Sequence, residues 1–378
     1  MSETARAAIV TSVAGAVEVR GYDLPHPGPG EFLLQVELCG MCGTDAHVYR
    51  GRLDSVRFPA LLGHEIVGRL AVLGDGVTTD HAGRPVRAGD RVGVFPALSC
   101  GRCYECTVRR RPGSCPGRRP SYGFASPADR PPYLTGGFAT HLYASNAGTV
   151  FYRTDLPPEV AVLQEPLSVA LHAAERAALR IGSTVVVQGV GAIGLMAVVA
   201  ARAAGAARIV AVGGPPARLE LAAALGADEV VDLARVPDPD RRRGAVLDAL
   251  GDGGRGADAV IGTAGSPEAF LEGVRLTADG GVLAEVGNFT DRGTIPFNPY
   301  SDLLRRDITL AGVYGAGPDM QRRYHSALSI LQRGGPPFER LVSHRVPLTG
   351  VRRALEALGG GYSLDGRDVV KLAVDPSA

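Results

Sequence analysis

The chain has 378 residues, 45% of them hydrophobic and 21% charged, with 40 Lys plus Arg against 39 Asp plus Glu and a net charge of +1. That length predicts two domains at roughly 100–200 residues each, and the mix is that of a soluble globular protein. So even a charge balance gives no long-range field for nucleic acid or an anionic membrane, and neither is expected as a partner.

The opening stretch, MSETARAAIVTSVAGAVEV, has no basic region followed by an apolar core and a small-residue cleavage site. It does not read as a signal peptide, and a cytoplasmic location is expected. Six cysteines in such a chain point to metal more than to disulfides. Residues 7 to about 150 read as β-rich, with short runs such as FLLQVEL, EIVGRLAVLG and DRVGVFP between Gly, Pro and Asp turns. Within them lie Cys42-Gly43-Thr44-Asp45-Ala46-His47 and Gly63-His64-Glu65, and Glu165-Pro166 follows later. Each piece alone is weak. A lone Cys in a β-domain is usually core, and a lone His or Glu is usually a surface group. Together they supply a thiolate, an imidazole and two carboxylates, enough for a catalytic zinc with one open position. Cys39 reads as a buried small residue, and Asp45 as a support that orients a metal ligand.

Residues about 96–120 form an irregular lobe. Cys100, Cys103, Cys106 and Cys115 follow one another within sixteen residues. Four thiolates this close enclose one tetrahedral zinc and leave no open position, so that ion is expected to be structural. Arginines around the lobe raise a nucleic-acid-binding alternative. Neutral overall charge and the lack of an aromatic stacking series weigh against it. Tyr152–Pro158 reads as a linker or helix start.

From about Leu163 the pattern becomes alternating strand and helix, which predicts a parallel sheet covered on both faces. TVVVQ precedes Gly189-Val190-Gly191-Ala192-Ile193-Gly194, and a helix through Ala204 follows. In this setting the glycines form a dinucleotide fingerprint. They allow a tight turn, close approach to a pyrophosphate, and close helix–strand packing at a helix N-terminus. After the next strand, ARIVAV, the position usually held by an acid is Gly213, with Arg218 in reach, so NAD and NADP both stay open. Thr263, Gly287 and Asn288 end later strands at the same carboxyl edge, the usual ligand edge of such sheets. Tyr314, at the end of ITLAGVYG, reads either as a pocket residue or as ordinary core, and His172 as packing. A helix around Arg322–Gln332 and a last strand, VVKLAV, complete the chain.

Taken in order, CGxCGTDxH, GHE, GDRV (Gly89–Val92), the four-cysteine lobe, VxGxGxIG and KLAVD resemble the zinc-containing medium-chain alcohol dehydrogenases over essentially the whole length. EPLSVALHA (Glu165–Ala173) is similar to the polyol, glucose and threonine dehydrogenase branch, and YGF…PPYLTGGFATHLYA resembles dehydrogenases of cyclic secondary alcohols. The resemblance implies an α/β fold. A GroES-like β-rich catalytic domain would span 1–159 and 316–378, and a Rossmann domain with a doubly wound parallel sheet would span 160–315. It implies one catalytic zinc on Cys42, His64 and either Glu65 or Glu165, and one structural zinc in the lobe. It also implies NAD or NADP on Gly189, Gly191, Ala192, Ile193, Gly194, Gly213, Arg218, Thr263, Gly287 and Asn288. The implied reaction is hydride exchange between that coenzyme and a small secondary alcohol or ketone, with Thr44 taking the hydroxyl proton and His47 relaying it, in a homodimer or homotetramer. The alternatives are a zinc and dinucleotide binder without activity, and an enoyl or ketone reductase on the same fold. Substrate choice is expected to depend on the loops Val48–Phe58 and Tyr122–Thr135.

Overall fold

The computed structural model describes all residues except 1–3, 54–55, 118, 125–127, 252, 316 and 318. Two compact units divide the chain, one of Met1–Glu165 with Val342–Ala378 and one of Pro166–Leu341.

In the first unit the strand Phe32–Met41 is the organiser. Its sequence FLLQVELCGM is buried at almost every position, on both faces, instead of alternating with solvent. It pairs antiparallel with Glu65–Leu73 on one side and with Lys371–Val374 on the other, inside a seven-stranded sheet. Register then sets chemistry. Gly40 faces Glu65 across one ladder and Ala373 across the other. A Cβ on Gly40 would lie 1.8 Å from Glu65 Oε2 and 3.0 Å from Lys371 Cε, so only glycine leaves room for those two side chains. The strand ends at Met41 and the helix Gly43–Tyr49 begins at once, with Cys42 as its N-cap. A smaller antiparallel sheet of Val17–Asp23, Thr4–Val10 and Ala60–Leu61 packs its buried Ala and Ile side chains into the same core. Where the sequence suggests a linker or helix start at Tyr152–Pro158, Phe151–Arg153 is the edge strand of the large sheet and the helix start falls at Pro158, opening the helix Pro158–Ala161.

The second unit is a six-stranded parallel sheet. Its order is Glu229–Asp232, Arg208–Gly213, Thr184–Gln188, Ala257–Gly262, Thr277–Glu285, Thr309–Gly312. Chain order runs outward from Thr184–Gln188 to one edge and then, past that strand, to the other. The direction reverses there, which is where open α/β sheets bind ligands. TVVVQ is buried at four of its five positions, as expected for a central parallel strand. The helix Met320–Arg333 belongs to this unit, so the boundary falls at Leu341 and not near 316. Its Arg322 and Arg323 both pair with Glu175 of the helix Gln164–Arg176, a tertiary link that spacing cannot reveal. Tyr314 is not core: it is 72% exposed, at the end of Thr309–Gly312, which among the described residues is the edge strand of its sheet. Among the described residues no helix is long and apolar enough to cross a membrane.

Candidate active site

Cys42, His64 and Glu65 place one ligand atom each within 4.8 Å of one another. Their elements explain the meeting. Cys42 leaves the end of the central strand, and Glu65 opens the strand paired with it. His64 follows Gly63, whose φ of +91° turns the chain there and whose Cβ would collide with Phe138 and Cys39. Asp45 braces the Cys42 and His64 segments from within the core. Its Oδ2 accepts from the Cys42 amide at 2.8 Å, its Oδ1 accepts from the Gly63 amide at 3.3 Å, and Oδ1 lies 3.5 Å from His64 Nδ1. Burial alone would lower the His64 pKa, but Asp45 and Cys42 raise it well above its usual value.

Glu165, at the start of its helix, lies outside the three-residue cluster. Its carboxyl is pushed up to about 7 by burial, with His64 and Lys371 opposing and Glu65 and Asp45 adding to the rise. Lys371 is the residue that sequence reasoning passed over. It is almost fully buried and ion-paired with Glu65. Burial would lower its pKa, yet Glu65, Cys42 and Glu165 hold it above the ordinary value, so it stays a cation. The available signal was a lone Lys in an otherwise apolar terminal strand. Phe124, which lies within the expected substrate loop Tyr122–Thr135 but is not singled out there, has its ring 4.8 Å from that of His64. Thr44 Oγ1 is 3.6 Å from Cys42 Sγ, and His47 is on the same helix. Cys39 is wholly buried, and burial pushes its thiol well up, which fits packing and not ligation. Residues 54–55 and 125–127 of the two expected substrate loops lie outside the described residues.

A soft thiolate, an imidazole and a carboxylate in a buried, acid-rich setting suit a zinc ion and leave a position open. The lobe fits a closed site. The four Sγ atoms of Cys100, Cys103, Cys106 and Cys115 lie within 4.8 Å of one another with no disulfide among them. Cys100–Cys115 is 3.4 Å and Cys103–Cys106 3.5 Å, close to the S···S spacing around one tetrahedral metal.

At the carboxyl edge of the parallel sheet, Gly189 has φ +97°, and its Cβ would meet Thr263 Oγ1 at 2.7 Å. Gly194 packs so tightly that a Cβ would sit 1.8 Å from the Gly189 carbonyl oxygen, whereas the space beside Gly191 is open. Thr263 Oγ1 donates at 3.0 Å to the carbonyls of Gln188 and Gly189, so it braces the fingerprint turn from beneath. The helix Ala192–Ala203 starts here and presents the amides of its first turn, Ala192 and Ile193 among them. At Gly213 the structure supplies a reason for the missing acid. A Cβ there would come within 2.4 Å of Val190 Cγ2, so the fingerprint's own valine fills that space. Arg218 is buried on the helix that follows. Gly287 and Asn288 form the turn after Thr277–Glu285.

Residues 28–153 match the family model described as alcohol dehydrogenase GroES-like domain, and residues 192–333 match the one described as zinc-binding dehydrogenase. The 5-exo-hydroxycamphor dehydrogenase of Pseudomonas putida is 36% identical over 363 residues, 94% of this chain and 96% of that protein. The sorbitol dehydrogenase of Bacillus subtilis is 30% identical, covering 90% of each chain. Among solved structures, an alcohol dehydrogenase from Thermotoga maritima superposes with a TM-score of 0.88 at 28% identity, over 99% of each chain. The chain belongs to the zinc-type medium-chain dehydrogenase/reductase superfamily, and its general role is that of an oxidoreductase.

Proposed function

We propose that this protein moves a hydride between NAD or NADP and the carbinol carbon of a small secondary alcohol, or reduces the matching ketone. The observation that carries this reading is the convergence of Cys42, His64 and Glu65, in a chain that also carries the glycine turn at the switch point of a parallel sheet. Glu65 is the third ligand in this reading, and Glu165 stands by as a nearby carboxylate. A zinc ion held there supplies Lewis-acid polarisation of the substrate oxygen, and the dinucleotide supplies or accepts the hydride.

The chain's own groups do the rest. Asp45 fixes the His64 ring, and Lys371 neutralises part of the negative charge on Glu65. Thr44 takes the hydroxyl proton. His47, three residues further on the same short helix and so on the same side of it, passes the proton on. Cys100, Cys103, Cys106 and Cys115 hold a second zinc that staples a lobe with little apolar core of its own. With no carboxylate at Gly213 to repel a 2′-phosphate, and Arg218 close in sequence, the coenzyme site admits either dinucleotide.

Polyols, aminocyclitols and cyclic alcohols all fit the reaction. Two observations favour the cyclic class. Phe124 sets an aromatic ring beside the ligand His64, and 5-exo-hydroxycamphor, named for the relative at 36% identity, is a cyclic secondary alcohol. The test is turnover by zinc-loaded protein with NAD⁺ and NADP⁺ against a panel of all three classes, with ketones and reduced coenzymes run in reverse. Turnover of cyclic alcohols is expected, and Cys42→Ser should abolish it while the protein stays folded. Zinc and coenzyme binding without turnover in either direction would mean a binding protein, and full activity in Cys42→Ser would sink the metal assignment.

A further inference from the structure

A carboxylate at the carboxyl edge of the parallel sheet has no part in the chemistry proposed above. Glu285 ends the strand Thr277–Glu285, where an apolar side chain would be the cheaper choice, and burial raises its pKa above the ordinary value. Its Oε1 accepts from the Asn288 amide at 2.9 Å and from Asn288 Nδ2 at 3.0 Å. Its Oε2 fills the space over the neighbouring strand's last residue, since a Cβ on Gly262 would lie 2.5 Å from it. The turn held in this way rests backbone against backbone on the adjacent turn. A Cβ on Gly287 would come within 2.4 Å of the Gly265 amide nitrogen, and one on Gly265 within 2.6 Å of the Gly287 oxygen. Phe289, one residue beyond, stacks on Tyr314 with centroids 5.2 Å apart and planes 6° from parallel.

The position of this turn gives the carboxylate a purpose. A dinucleotide whose pyrophosphate sits on the Gly189 turn lays its adenosine toward the end of Arg208–Gly213. Its other half then runs the opposite way along the edge, over the ends of Ala257–Gly262 and Thr277–Glu285. We propose that Glu285 is a positioning residue for the nicotinamide half of the coenzyme. It fixes the Gly287–Asn288 turn against the Gly265 turn, so that a rigid backbone surface meets the nicotinamide, and it touches neither coenzyme nor substrate. The inference rests on the dinucleotide reading above.

The experiment compares two ligands on the full-length, zinc-loaded protein. Reduced coenzyme is titrated by its fluorescence. ADP-ribose, or its 2′-phosphate if the protein prefers NADPH, is titrated by calorimetry. The second ligand lacks the nicotinamide and reports on the glycine turn and adenosine half alone. Glu285→Ala should weaken reduced-coenzyme binding by about tenfold and change ADP-ribose binding by less than about twofold. Glu285→Gln keeps an oxygen for the Asn288 amide and should recover most of the loss. Equal weakening of both ligands, no weakening of either, or a Gln variant as poor as the Ala variant would overturn the proposal. If the unsubstituted protein binds neither ligand, it is the dinucleotide reading itself that fails.

Discussion

Asp45 is fully buried and spends its carboxylate on three groups at once: the Cys42 amide, the Gly63 amide and the His64 ring. Asparagine has the same shape but only one acceptor oxygen, and it turns an NH₂ toward one of those donors. Asp45→Asn should therefore weaken zinc binding at the Cys42 site by about 10–100-fold, as changes to groups that orient metal ligands do. Competition with a chromophoric chelator would measure this, and a zinc taken up by the four-cysteine lobe, which the change does not touch, would serve as the internal reference. Unchanged affinity would show that the ligands hold themselves in place. Gly40 shows the same economy in reverse: it does nothing chemical, yet any side chain there would displace the Glu65–Lys371 pair.

The glycine turn and its helix work as one element, and its glycines have separable roles. A methyl on Gly194 has no space, being 1.8 Å from the Gly189 oxygen. Gly194→Ala should cost about 1–3 kcal/mol through overpacking, read as a lower thermal midpoint in the absence of coenzyme. A methyl on Gly191 meets nothing within 4 Å. Gly191→Ala should melt like the unsubstituted protein and yet bind dinucleotide less tightly, because the space it fills is the approach to the pyrophosphate. Equal melting of the two variants would refute this division of labour. The motif was fully legible in the sequence as strand, glycines and helix. The reason for Gly213 was not, because Val190 and Gly213 are neighbours only once two parallel strands lie side by side.

Three histidines give the whole molecule a pH dependence unrelated to catalysis. His81, His172 and His344 are each held below the ordinary value of 6.5, with burial the largest cause. They stay neutral in the fold, while in the unfolded chain they take up protons near 6.5. The unfolded state thus binds more protons as acidity rises. The stability they contribute is present above that value and is lost as pH falls through it toward their lower folded values. The expected outcome is a thermal midpoint for the zinc-loaded protein that drops between pH 7.5 and 5.5, with a shallower drop in His344→Gln, whose Nε2 contacts the Leu364 carbonyl at 3.2 Å. A variant slope equal to that of the unsubstituted protein would remove His344 from the account.

What the sequence determined by itself is what depends on near neighbours along the chain. Four cysteines within sixteen residues, glycines at fixed spacing after a β-branched run, and alternation of strand and helix each state a local geometry that holds wherever the segment lies. The GroES-like and Rossmann assignment and the four-cysteine cluster rest on such signals. Tertiary structure alone decided the rest. Glu65 comes to lie beside Cys42 and His64 because the ladder that pairs Gly40 with Glu65 brings that carboxylate to the strand end. Lys371 meets Glu65 across some three hundred residues of chain through two antiparallel pairings with one central strand. Tyr314 faces solvent at the end of what is, among the described residues, the edge strand of its sheet. Pairing partner, sheet order and edge are relations between distant segments, and burial energy selects them only when the whole chain packs.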